Sequence, residues 1–303
     1  MHKRGDFTEK VAVVIPVYKN NLERFEQLAL EQCFRVLNRH RTFIIKPRSL
    51  DVSIGNEAVS YISFDDKYFE SRQGYNRLML WEGFYEKFLR FQYILIYQLD
   101  AYVFKDQLLE WCDKGYDYVG APWLRPAKYI DVFKAVKSRV LIAVHTWFNL
   151  RQPNSDLPTE LQFENKVGNG GLSLRRVRKF YEAAMQHKSG LAKYLNRTEH
   201  HFNEDVWWAI ELNRKSNYLN IPHYKKAVFF SIENQPERAW ELTRGELPFG
   251  CHAWNLHLDF WERHFDIESV FLRKNKSGLH VASLNQGKYA GEVKELSLVS
   301  KAV

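Results

Sequence analysis

Short apolar runs separated by stretches of helical spacing set the reading of this chain. Lys10-Val-Ala-Val-Val-Ile-Pro-Val-Tyr18 is almost free of polarity and predicts a buried strand, ended by Pro16 and followed by a polar turn at Lys19-Asn20-Asn21. Over residues 22–38, Leu22, Phe25, Leu28, Ala29, Cys33, Val36 and Leu37 recur at the helical period. Residues 43–45 and 58–64 predict a second and a third strand. Residues 75–91 are amphipathic and predict one helix, which feeds a strand through Tyr93-Ile-Leu-Ile-Tyr-Gln-Leu-Asp100. A helical turn over 108–112 and a strand over 116–121 follow. Strands that alternate with helices in this way predict an α/β class, with a mainly parallel sheet covered by helices.

The middle of the chain reads differently. Residues 126–151 mix Lys and Arg with Tyr129, Phe133, Val136, Trp147 and Phe148 at helical spacing. Such a helix packs on its own domain or lies along a membrane surface, and both readings stay open here. Its apolar stretches, 140–144 and 146–148, are too short to span a bilayer. Beyond Phe271 the chain turns polar and Lys-rich, which predicts a domain over 1–270 and a tail or peripheral cover over 271–303.

Composition narrows the classes. With 303 residues and 45% hydrophobic content, the chain can bury a substantial core. Cys33, Cys112 and Cys251 are odd in number and lack CxxC spacing, so they suggest neither a disulfide framework nor a zinc ribbon. A reducing compartment fits, and Met1-His2-Lys3-Arg4-Gly5-Asp6 has no signal-peptide character. The expectation is a cytoplasmic protein, soluble or peripheral at the inner face of the membrane. A net charge of +8 raises nucleic acid as a partner, but the basic residues are scattered and form no binding signature. Nucleotide diphosphates or an anionic membrane account for the surplus equally well, and no nucleic acid is expected.

Four polar clusters interrupt the apolar scaffold. Gln98-Leu99-Asp100 ends a strand, where alternation would point both polar side chains the same way and where open α/β sheets bind ligands. Val167-Gly-Asn-Gly-Gly-Leu-Ser-Leu-Arg175 permits close backbone approach, or is a plain tight turn. Asn203-Glu204-Asp205 suits a helix start, with Asn203 as cap and the acids on the helix dipole. Phe249-Gly-Cys-His252-Ala-Trp254 places a histidine in an aromatic loop, where a structural role is common.

Taken in order, these parts resemble GT-A glycosyltransferases. The phrases Ser71-Arg-Gln-Gly-Tyr-Asn-Arg77, Ile96-Tyr-Gln-Leu-Asp100, Gly120-Ala-Pro-Trp123, Val167-Gly-Asn-Gly-Gly171, Asn203-Glu-Asp-Val206 and Pro248-Phe-Gly-Cys-His-Ala-Trp254 are similar to an uncharacterised, mainly bacterial glycosyltransferase-like family. The resemblance covers roughly residues 10 to 265.

It implies a GT-A (Rossmann-like) fold and transfer of a sugar from a nucleotide-sugar donor to a glycan or lipid-linked acceptor, inverting, in surface polysaccharide or glycoconjugate synthesis. Asp100 matches the last position of the GT-A acidic motif and Gln98 stands at its first, a departure that removes one charge. His252 matches the late histidine, so Asp100 and His252 are the implied metal ligands. Manganese suits them better than magnesium, and a metal-independent site stays open. Asp205, or its neighbour Glu204, matches the acceptor base. Adjacent residues at a helix start point about 100° apart, so one of the two faces the acceptor. Pro16, Val17, Tyr18, Arg72, Tyr75, Asn76, Gly170 and Gly171 match donor-binding positions, and Trp123, Trp207 and Trp254 are candidates for stacking on sugars. The alternative is a GT-A scaffold that binds nucleotide-sugar or glycan without catalysis, which Gln98 favours.

Overall fold

The computed structural model describes residues 9–54, 58–126 and 131–265 together with Ala282–Ser283. Its strands are β1 (Glu9–Pro16), β2 (Arg41–Pro47), β3 (Val52–Ser53), β4 (Val59–Phe64), β5 (Phe91–Tyr97), β6 (Tyr102–Val103), β7 (Tyr118–Val119), β8 (Leu172–Arg176), β9 (Ser231–Ile232), β10 (Gly250–Cys251) and β11 (Ala282–Ser283). The main sheet runs β4-β2-β1-β5-β8-β7. Its first four strands are mutually parallel, and β8 runs antiparallel to both β5 and β7. A second sheet, β6-β10-β9, lies beyond it, and β3 pairs with β11.

Alternation along the central strands decides the layers. Ala12, Val14, Ile94 and Ile96 enter one buried cluster, whereas Val11, Val13, Tyr93 and Leu95 enter another. A strand apolar on both faces needs a cover on each. Helices Arg72–Leu80, Glu82–Glu86 and Val177–Gln186 supply the first cover through Leu78, Phe84 and Phe180. Helices Arg24–Val36 and Leu108–Asp113 supply the second through Ala29, Cys33 and Trp111. Each large side chain among them, such as Leu78, Phe84 or Phe180, contributes about 1.5–3 kcal/mol when taken out of water.

This topology fixes the position of the crevice. The chain leaves β1 for β2 and β4 on one side, then returns as β5 on the other. The carboxyl ends of β1 and β5 therefore flank a topological switch point, where open α/β sheets hold ligands.

Several expectations need correction. The single helix over 75–91 is two, because Trp81 adopts extended backbone (φ −87, ψ 129) between them. Its ring lies against Gly83, where a Cβ would collide, and stacks on Tyr68 at 5.8 Å. The strand expected to reach Asp100 stops at Tyr97, and Ala101 N–H donates to the Gln98 carbonyl at 2.9 Å to close a turn. Gln98 and Asp100 thus share a side through that turn, not through strand alternation. Trp207 and Trp254 are buried in apolar clusters and present no face to a sugar. The helix expected over 126–151 forms over Val132–Phe148, with 127–130 outside the described residues. The tail over 271–303 also lies outside them, apart from β11. Among the described residues, no helix is long and apolar enough to cross a membrane.

One buried ion pair ties the layers together. The Arg175 guanidinium, from β8, meets Glu204 through Nη2–Oε1 at 2.7 Å and Nη1–Oε2 at 3.1 Å. Arg175 also donates to Ser173 Oγ at 3.0 Å and to the Tyr85 hydroxyl at 2.9 Å. Neither charge reaches water, so removal of one strands the other. Glu204→Ala should lower unfolding stability by about 3–5 kcal/mol, read from the urea midpoint; an unchanged midpoint would show that the pair holds nothing together.

Candidate functional site

Three two-residue strands of the second sheet each have a polar residue within two positions of one end. Asp100 comes just before β6, His252 directly follows β10, and Glu233 directly follows β9. Cys251 is in register with both Tyr102 and Ile232, which brings the three residues to one edge. There His252 Nε2 lies 3.0 Å from Asp100 Oδ1 and 3.3 Å from Gln98 Oε1, while its Nδ1 lies 2.9 Å from Glu233 Oε1.

Electrostatics follow from that clamp. Burial disfavours the imidazolium, yet the carboxylates of Asp100 and Glu233 outweigh it and push the His252 pKa up to about 10. Burial likewise opposes charge on Asp100, but His252 overcomes it and holds the carboxyl below its ordinary value. The donor set also fits a divalent cation. A carboxylate oxygen, an amide oxygen and an imidazole nitrogen face one another, and the far imidazole nitrogen is oriented by a carboxylate, as in metal-bound histidines.

The glycine loop before β8 forms the floor. Asn169, at φ 80, accepts from Gly171 N–H at 2.9 Å and Leu172 N–H at 3.1 Å, and its amide nitrogen lies 3.0 Å from His252 Nδ1. A Cβ on Gly171 would fall within the His252 ring, and one on Gly170 would strike the Glu204 carboxylate. Both glycines are therefore required by close approach. Their neighbour in space is the helix start at Glu204, which continues into a π turn over Trp207–Glu211. Asn203 occupies the cap position, but its side chain does not cap: it accepts from Asn76 Nδ2 at 3.1 Å. Asn76 Oδ1 instead accepts from Glu204 N–H at 3.3 Å.

With Glu204 committed to Arg175, the next side chain turns away from the pair. Asp205 is half-buried and its Oδ1 accepts from Val206 N–H at 2.8 Å. Burial, then the charges of Glu204 and Glu233, push its pKa up to about 7. It therefore shares the crevice with Glu233.

The other expected residues divide. Gln98, Asp100, Gly171 and His252 converge, and Gly170 adjoins them. Pro16 and Val17 are buried, while Tyr18 is 41% exposed. Burial, Glu26 and Asp100 together raise the Tyr18 phenol to about 12. The Tyr75 hydroxyl is buried near Gln98 without a well-formed hydrogen bond among the described residues. Arg72 donates to the Thr198 carbonyl at 3.0 Å and stands with Asn76 on the supporting helix. Glu233 and Asn169 complete the site without having been singled out. Phe229-Phe-Ser-Ile-Glu233 repeats in short form the apolar run into an acid that marks Asp100, and that signal was available. Elsewhere, Glu160, His200 and His201 bring ligand atoms within 4.8 Å of one another and could hold a metal ion.

The two-carboxylate clamp is testable by NMR titration of the His252 ring. In the native protein it should titrate near 10, and in Glu233→Gln markedly lower. An ordinary histidine value in the native protein would show that the carboxylates do not act on it.

Comparison with known proteins gives the following. No curated protein matches the sequence. Among solved structures, the chain is similar to the galactosyltransferase LgtC in complex with donor and acceptor sugar analogs, at 13% identity and a TM-score of 0.46, covering 80% of this chain and 86% of that one. It is similar to mouse xyloside xylosyltransferase 1 in its apo form, at 11% identity and a TM-score of 0.45, covering 80% and 97%. Core-mannan synthase A from Aspergillus fumigatus, in its Mn/GDP form, matches at 11% identity and a TM-score of 0.43, covering 71% and 73%. In sequence, residues 58–252 match the family described as "Protein of unknown function (DUF5672)". Since that match runs from the residue before β4 to His252 itself, most of the crevice included, the chain belongs to the DUF5672 family.

Proposed function

We propose that this protein is a glycosyltransferase that moves a sugar from a nucleotide-sugar donor to a hydroxyl of a glycan or lipid-linked acceptor, with inversion at the anomeric carbon. The observation that carries this reading is the meeting of two chemistries in one crevice. One is the group formed by Gln98, Asp100 and His252 at the switch point. The other is the Asp205 carboxyl, whose pKa is raised to about 7 by burial and by Glu204 and Glu233, the latter the carboxylate on His252 Nδ1.

Each meets a requirement of the transfer. The acceptor oxygen attacks the anomeric carbon, the bond to the diphosphate oxygen breaks, and the nucleoside diphosphate leaves with the electron pair. The acceptor proton passes to Asp205, whose poise near neutrality suits a general base. A divalent cation, manganese more readily than magnesium, would be held by Asp100 and by His252 once its Nε2 proton is released on binding, and would neutralise charge on the departing diphosphate. Tyr18 and the Gly170–Gly171 backbone would line the approach for the donor, with Pro16 and Val17 supporting it at the end of β1 and the buried Tyr75 hydroxyl behind Gln98. A role in surface polysaccharide or glycoconjugate synthesis rests on the sequence resemblance alone.

Gln98 favours a second reading, a scaffold that binds nucleotide-sugar without turnover, since an amide adds no charge to the cation group. A thermal-shift panel of nucleoside diphosphates with and without manganese, followed by product analysis, separates the two. Binding with product supports transfer, and binding without product supports the scaffold. In Asp100→Asn, the manganese-dependent part of the shift should disappear; a full shift there would remove Asp100 from the site.

Asp205 gives a sharper test. A base must be unprotonated, so kcat/KM should rise with pH to a midpoint near 7. Asp205→Asn should lower kcat by about 10²–10⁴ and abolish that limb. The folded carboxyl holds its proton more tightly than the unfolded one, so its contribution to stability falls as pH rises from about 4 to about 7. The same variant should accordingly melt no lower than the native protein at pH 8. An acid limb that survives in Asp205→Asn, or a product with retained configuration, would overturn Asp205 as the base.

A further inference from the structure

We propose that the helix Val132–Phe148 is a membrane-docking element, which seats the protein on an anionic bilayer surface through its outward apolar face. Ile142 is the buried residue of this helix, and Ala135, Ser138, His145 and Thr146 form the half-buried inner line around it. The opposite line carries Phe133, Val136, Val140, Val144 and Trp147, spaced three or four apart and all exposed. Phe133 stands 88% exposed and the adjoining Phe148 66%. A helix packed on its domain has the reverse arrangement, and an apolar patch rimmed by charge marks an interaction surface.

The charge around this face selects the occupant. Within Val132–Phe148 the basic residues are Lys134, Lys137 and Arg139, and no residue is acidic. Lys215 Nζ lies 4.4 Å from the Trp147 ring centre and 5.6 Å from that of Phe148. Arg139 also groups with Lys225 and Lys226 around His223. Aromatic and branched side chains flanked by cations suit the boundary between acyl chains and anionic headgroups. A second copy of the chain fits less well, because a two-fold interface would set these basic flanks against each other.

The helix is also ready-made and well placed. Asp131 caps its start, accepting from Lys134 N–H at 2.7 Å, and Asn149 ends it in left-handed backbone at φ 50. Arg214 donates to the Thr146 carbonyl, and His145 Nδ1 meets Thr159 Oγ1 at 2.8 Å. The excursion that carries it is rooted at the Pro122–Val167 bridge, with Trp123 N–H on the Lys166 carbonyl at 2.8 Å. Val167 opens the glycine loop that forms the floor beneath His252. Docking would therefore hold the crevice beside the bilayer.

The test is flotation of the full chain with vesicles of phosphatidylcholine alone and of phosphatidylcholine mixed with phosphatidylglycerol, and it needs no substrate. The native protein should float with the mixed vesicles, less so at high salt. A triple variant, Phe133→Ser with Val140→Ser and Trp147→Ser, should bind at least about tenfold more weakly, since each large apolar group is worth roughly that factor. Lys134→Gln with Lys137→Gln should lose the preference for anionic lipid. An unchanged circular dichroism spectrum and melting temperature would confirm that these surface changes leave the fold intact. Absence of vesicle binding by the native protein would overturn the proposal. So would a concentration-dependent dimer that the triple variant abolishes, which would assign the face to a second copy.

Discussion

A guanidinium and a carboxylate without access to water must meet each other, and much of this structure follows from that need. Arg175 projects from β8 into the first core, and Glu204 reaches it from the start of the helix above. The cost of desolvating both is offset by two short bonds and by Ser173 and Tyr85, which use two of the three other donors. The close fit leaves no room for a side chain at Gly170. It also fixes the rotation of the helix start, so that the next residue, Asp205, turns about 100° away from the pair. The ion pair thus sets the direction of its neighbour's side chain.

The crevice itself is a balance of like charges. Asp100 and Glu233 meet on opposite nitrogens of one imidazole, and Glu233 also disfavours charge on Asp205. His252 sits between Asp100 and Glu233 and is held as a cation by both. Asp205 has no such partner and retains its proton to about pH 7. One arrangement therefore yields an ionic group around His252 in the metal-free protein and a separate carboxyl that titrates near neutrality.

The excursion between Pro122 and Val167 obeys the same physics with opposite outcome. Elsewhere most large apolar residues lie inside; on the helix Val132–Phe148 most face out, with basic residues around them. The neck that roots this excursion is continuous with the glycine loop, so surface and crevice are joined through a few residues of backbone.

Much of the scaffold was legible in the chain. Apolar runs marked β1, β2 and β5, since strands buried on both faces admit little polarity, while β4, at the sheet edge, was marked by alternation. Asp100, the glycine loop, the Glu-Asp pair and His252 stood out as polar breaks in that background. What was not legible depended on contacts between distant residues. Sequence spacing could not choose between Glu204 and Asp205, because the choice is made by Arg175, which lies 29 residues earlier in the chain. Asn203 looked like a cap, but Asn76 does the capping from another helix. Glu233 was passed over because its value lies in the register of β9 with β10, which no local pattern records. The period of the helix Val132–Phe148 was plain, but not which of its faces points inward. Local composition and periodicity thus determined which segments became strands and helices, because those depend on neighbouring residues. The pairing of charges, the register of the second sheet and the exposure of that helix were decided by tertiary structure, because each is a relation between segments that meet only in the folded chain.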